Sequence, residues 1–104
     1  MHTLSRLETT IAAREGADPE TSYVASLIAR GLPVIARKLG EEATEAVVAA
    51  LTGNDEEMLG ECADLLFHLL VLLRARGIPF DQVLAELDRR EGTSGIAEKR
   101  ARVS

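Results

Sequence analysis

Apolar and polar positions along this chain follow helical spacing from end to end. No segment alternates apolar and polar residues over the length of a strand, and the β-branched residues are scattered. Alanine, leucine, glutamate and arginine dominate, all good helix formers. Glycines fall where helices should stop. Thr3 is positioned to cap a first helix running to about Glu15, with Gly16 as its stop. Asp18-Pro19 predicts a second start, a capping carboxylate followed by proline at the first helical position. That helix should reach Arg30 and end at Gly31. A third begins near Leu32-Pro33 and continues to about Thr52, and Gly53-Asn54 forms a turn. Asn54 with Glu57 three residues later is a capping-box variant that starts a fourth helix, ended by Gly77 with Pro79 beyond it. A fifth runs from about Phe80 to Glu91.

The fourth helix changes the picture from a list of helices to an assembly. Residues Leu65 to Leu73 are apolar throughout except for His68. A helix that is apolar all round is buried all round, and the other helices of a 104-residue chain could hardly cover every side of it. The expectation is an all-α single domain over 1–104, a helical hairpin-based bundle completed by dimerisation.

Composition narrows the function classes. At 46% hydrophobic and 28% charged, the chain is too apolar for disorder and carries one domain's worth of sequence. Cys62 is the sole cysteine, so no disulfide scaffold exists and a reducing cytoplasm fits. No window holds 18 apolar residues and no secretory signal is visible at the N-terminus, so a membrane is not an expected partner. The net charge of -5 and the scarcity of aromatics (Tyr23, Phe67 and Phe80) argue against nucleic acid. An acidic protein that binds phosphates needs a metal ion or a local basic cluster.

The acids are not spread evenly. The third helix carries Glu41, Glu42 and Glu45, spaced to share one face; the fourth carries Glu61 and Asp64, again on one face, with His68 four residues on. In an antiparallel hairpin about Gly53-Asn54, Glu45 pairs in height with Glu61, and Glu42 with Asp64. Each pair is offset by only ~1.5 Å along the axis. Without these five residues, 12 acidic side chains would balance 12 basic ones, so the whole net charge resides in the cluster. Facing carboxylates repel, and a cluster of this kind persists where a cation sits. Oxygen-only ligands favour Mg²⁺, with Mn²⁺ as the alternative. The competing reading is a solvated acidic face, weakened by the apolar context of Glu61 and Asp64. Other features carry less. His68 reads as a satisfied core histidine and Cys62 as a small buried hydrophobe. Gly92-Thr93-Ser94-Gly95 reads as a loop or as a backbone phosphate cradle. The chain holds no P-loop, HExxH, GxGxxG or zinc-type cysteine pair. Asp64 stands where a di-iron bundle would want histidine.

Asp18-Pro19 leading to Ser22-Tyr23, then Lys38-Leu39-Gly40-Glu41-Glu42-Ala43-Thr44-Glu45, then Glu61-Cys62-Ala63-Asp64-Leu65-Leu66-Phe67-His68, resemble the phosphoribosyl-ATP pyrophosphohydrolase family, as does the tail Gly92 to Lys99. The pattern E-E-x-x-E followed by E-x-x-D is similar to that of the broader all-α, MazG-like nucleoside triphosphate pyrophosphohydrolases. The resemblance implies Mg-dependent hydrolysis of 1-(5-phosphoribosyl)-ATP to 1-(5-phosphoribosyl)-AMP and pyrophosphate, the second step of histidine synthesis, by a cytoplasmic homodimer. It implies Mg²⁺ on Glu42, Glu45, Glu61 and Asp64, with Glu41 a further ligand or the residue that orients the attacking water. Lys38 is either a phosphate contact or the partner of Glu41 or Glu42. Ser22, Tyr23, Lys99 and Arg100 are further candidates for substrate phosphates. Two other functions would use the same residues: a house-cleaning nucleotide pyrophosphohydrolase, or a non-catalytic helical dimerisation module with a solvated acidic face.

Overall fold

A computed structural model describes residues 2–91 together with Gly95, Lys99, Arg100 and Arg102. Five helices follow in order: α1 Thr3–Arg14, α2 Tyr23–Arg30, α3 Leu32–Thr52, α4 Asp55–Arg76 and α5 Phe80–Arg90. The described residues contain no strand. The four described residues of the tail are helical and exposed. The expected glycine-serine loop at Gly92, Thr93 and Ser94 lies outside the described residues.

Two expected helix starts move. The α1 cap is His2, whose Nδ1 accepts from the Leu4 backbone at 3.1 Å, with Thr3 already inside the helix. The second helix starts at Tyr23 instead of at Asp18-Pro19. Asp18 closes a local turn: its carboxylate accepts from the Glu20 N–H at 2.9 Å and its carbonyl from the N–H groups of Thr21 and Ser22. Such a turn competes with helix for the same backbone groups. Glu20 and Thr21 offer nothing to the core. The apolar run that pays for helix formation begins only at Tyr23, where Ser22 caps it by accepting from Ala25 N–H at 3.2 Å.

α3 and α4 form the antiparallel hairpin and make the most extensive contact in the chain. Gly53 ends α3, where an added side chain would crowd its neighbours. A Cβ would lie 2.5 Å from the Glu57 carboxylate and 3.0 Å from the Ala49 carbonyl. Asn54 then caps α4 through the Glu57 N–H at 2.9 Å, and Asp55, Glu56 and Glu57 place negative charge at the helix's positive end. At the other end Gly77 takes the left-handed conformation (φ 71°) that releases the chain toward α5. The Glu8 side chain of α1 accepts from the Phe80 N–H at 2.7 Å and so anchors the start of α5.

The core joins α1 to α4: Ile11, Val24, Leu27, Ile35, Leu70 and Val71. One chain does not cover the apolar helix. α4 buries only His68, Leu70 and Val71, while Leu59 stays 72% exposed and Leu51 of α3 80%. No residue of α5 is buried, and its Leu84 and Leu87 face solvent.

Candidate active site

The hairpin brings acids together across its two arms. Glu42 and Glu45 of α3 and Glu61 of α4 offer carboxylate oxygens that all lie within 4.8 Å of one another. The expected rungs are thus joined, because Glu61 meets both Glu45 and Glu42. Asp64, one turn further along α4, adds its charge to both Glu42 and Glu61. It lines an open cleft of about 480 Å³ with Glu45, Glu61 and Glu57. Glu57 was absent from the sequence candidates. It stands one turn before Glu61, a spacing that could have marked it, but its capping role masked it.

The group is strained electrostatically. Glu42 and Glu61 are half-buried, and one oxygen of each is shielded from solvent with no hydrogen-bond partner among the described residues. Burial pushes the Glu42 carboxyl above the ordinary glutamate value, and the neighbouring Glu45 carboxyl adds to the rise; His68 pulls the other way. Glu61 rises for the same first reason, burial, and then through repulsion from Glu45. Buried, unpartnered carboxylate oxygens crowded together are the donor set a hard cation satisfies.

Glu41 stands apart from this group. Arg37 reaches it at 3.7 Å and Lys38 at 3.6 Å, both from the same helix. Of the two readings open for Lys38, the structure contains the ion pair. Arg37, missed in the sequence, sits four residues before Glu41, the spacing at which helical side chains meet. Ser22 is buried at the α2 cap, its hydroxyl oxygen accepting a backbone N–H. The Tyr23 hydroxyl lies 2.9 Å from His68 Nε2, and His68 Nδ1 lies 2.7 Å from the Asp64 carbonyl oxygen. Lys99 and Arg100 are exposed.

An all-α hairpin carrying E-E-x-x-E on one arm and E-x-x-D on the next, with acids convergent between them, defines the class: a MazG-like pyrophosphohydrolase fold. Comparison with known proteins narrows it. The family model described as phosphoribosyl-ATP pyrophosphohydrolase matches residues 4–91. A phosphoribosyl-ATP pyrophosphatase of Erythrobacter litoralis is 71% identical over 102 residues, 98% of each chain. One of Rhizorhabdus wittichii is 67% identical over 100 residues, 96% of this chain and 94% of its own. A more divergent one, of Trichlorobacter lovleyi, retains 55% identity over 101 residues, 97% of this chain and 94% of its own. The chain belongs to the phosphoribosyl-ATP pyrophosphohydrolase family. It is therefore an enzyme, a hydrolase acting on a pyrophosphate bond.

Proposed function

We propose that this chain hydrolyses 1-(5-phosphoribosyl)-ATP to 1-(5-phosphoribosyl)-AMP and pyrophosphate, the second step of histidine biosynthesis, in the cytoplasm, as a Mg-dependent homodimer. The carrying observation is the convergence of Glu42, Glu45 and Glu61, two of whose shielded oxygens have no hydrogen-bond partner among the described residues. The names of the relatives supply the substrate. Glu42, Glu45, Glu61 and Asp64 would hold the metal. When bound there, Mg²⁺ neutralises the triphosphate and acidifies water. The chain's own contribution is placement. The rigid hairpin fixes the acids on two facing arms, so that substrate phosphates arrive at a set geometry. Arg37 and Lys38 hold Glu41 at the edge of the group, a position that suits orientation of the attacking water better than ligation. The water oxygen bonds to the α-phosphorus, the bond from that phosphorus to the α–β bridging oxygen breaks, and pyrophosphate leaves with that oxygen.

Leu51, Leu59 and the apolar face of α5 support the dimer, since a second copy would cover them. Sedimentation should then give twice the mass of the 11.2 kDa chain. No described helix is long and apolar enough to cross a membrane.

The test is pyrophosphate release from phosphoribosyl-ATP, ATP and deoxynucleoside triphosphates, with Mg²⁺ and with EDTA. Selective, metal-dependent release from phosphoribosyl-ATP is expected. Preference for other nucleotides would replace the substrate and keep the chemistry. Absence of release from all of them, in folded protein, would return the acids to a charged surface.

A further inference from the structure

The chain has three aromatic rings of the phenylalanine and tyrosine type, and two of them, Tyr23 and Phe67, gather around His68. Tyr23 lies nearly parallel to Phe67, with ring centroids 6.1 Å apart at 20°. The His68 imidazole stands edge-on to both, 5.7 Å from Tyr23 and 5.2 Å from Phe67. His68 is only 5% exposed, whereas Tyr23 is 50% exposed.

The hydrogen bonds fix the role of each group. A carbonyl oxygen only accepts, so His68 Nδ1 donates to the Asp64 carbonyl and carries a proton. The other ring nitrogen, Nε2, shares a hydrogen bond with the Tyr23 hydroxyl. The phenol is therefore engaged inward. What Tyr23 presents outward is its ring, held in place at one edge by a buried histidine and flanked by Phe67. The imidazole that holds this ring is hydrogen-bonded through its other nitrogen to the backbone carbonyl of Asp64, a member of the acidic group. A nucleotide has the same layout: an anionic phosphate end and, one sugar away, a flat base.

We propose that Tyr23 is the base-stacking residue of the site, and that His68 is a positioning residue that holds its ring in place. The inference rests on the proposed nucleotide chemistry and assigns Tyr23 to the purine in place of a phosphate. Stacking on an aromatic face tolerates any base, so it supplies affinity and orientation more than discrimination.

Two readouts test it. Tyr23→Leu should raise KM for phosphoribosyl-ATP about tenfold, within the range that base–aromatic stacking supports, with a smaller effect on kcat. Tyr23→Phe keeps the ring and loses the anchor, so its KM should rise less, by about threefold. Equal losses in the two variants would assign the contact to the hydroxyl and overturn the proposal, as would an unchanged KM in Tyr23→Leu. Melting curves of both variants establish that they are folded. The second readout uses the fact that Tyr23 is the only tyrosine and the chain lacks tryptophan. With Mg²⁺ and α,β-methylene-ATP, at concentrations that inhibit pyrophosphate release, the tyrosine ring protons should move upfield in NMR spectra. Inorganic tripolyphosphate, which has no base, should leave them in place. Equal movement with both ligands, or none with the inhibitory analogue, would overturn the proposal. Failure of the parent reading looks different: wild-type protein would release no pyrophosphate from phosphoribosyl-ATP. Release with an unmoved ring signal removes the stacking alone.

Discussion

Replacing Glu42 by glutamine should make the metal-free protein more stable while destroying its turnover. Glu42 shares a 4.8 Å sphere of oxygens with Glu45 and Glu61. Two unit charges at that distance repel by about 0.9 kcal/mol in the dielectric of water. Glu42→Gln removes two such repulsions, and screening at physiological ionic strength roughly halves their sum, leaving about 1 kcal/mol. The new amide can also donate to Glu45, where the native carboxylate could only repel. For a domain of this size, about 1 kcal/mol corresponds to a rise of roughly 4–8 °C in melting temperature. Circular dichroism melts in EDTA near neutral pH measure it, and raising the salt should shrink the gain. Glu41→Gln is the control. Its carboxylate sits between Arg37 and Lys38, so its loss should be neutral or slightly destabilising, as for most surface pairs. A Glu42→Gln protein that melts at or below the wild-type temperature in EDTA would refute the picture of an unrelieved acidic trio. So would an equal gain from Glu41→Gln.

Other consequences follow from the same arrangement. Glu42 and Glu61 have raised carboxyl values in the fold. Their contribution to stability is therefore complete below the unfolded-state value and is lost as pH rises through the folded one. Metal-free protein should lose stability from the carboxylate range toward neutrality, and pH-dependent melts of Glu42→Gln should show a shallower loss. Glu86 works with the opposite sign. Its hydrogen bond with Arg89 lowers it, so its contribution is present above the unfolded value and is lost as pH falls through the folded one. Mg²⁺ at a hundredfold excess over its dissociation constant should stabilise the wild type by about 2.7 kcal/mol; an equal gain in Glu61→Gln, measured by melting, would place the ion elsewhere. Ser22→Ala should cost about 1 kcal/mol in chemical denaturation through loss of the α2 cap, and an unchanged denaturation midpoint would show that the cap contributes nothing.

The third and fourth helices were readable because their boundaries are set by local chemistry. Gly53 and Asn54 mark a stop and a start whatever surrounds them, and the rise per residue then sets the heights of the acids. Heights do not determine rotation. Whether Glu61 faced Glu45 alone or both Glu45 and Glu42 depended on how the two helices roll against each other. That roll comes from Ala46, Ala49 and the residues packed around them, not from the acids. The second helix shows the opposite failure. Asp18-Pro19 has the local form of a helix start, yet its turn bonds are satisfied without a helix. The decisive information was where the apolar run began.

His68 marks the deepest limit of local reading, and also the place where structure adds chemistry. From spacing it could be seen to follow Asp64 by four residues, on the same side, within an apolar helix. That spacing does bring Nδ1 to the Asp64 carbonyl, an ordinary helical contact. The other nitrogen, however, meets a residue 45 positions away in sequence, on α2. No periodicity links those two positions. The contact exists because Val24 and Leu27, buried beside Tyr23, seat α2 on the core shared with Leu70 and Val71 of α4. Core packing thus brings an exposed ring to His68, and the hydrogen bond between them holds it there. A substitution in the core, Leu27→Ala for example, would therefore act at two levels: on stability through the cavity it leaves, and on the site through the position of Tyr23.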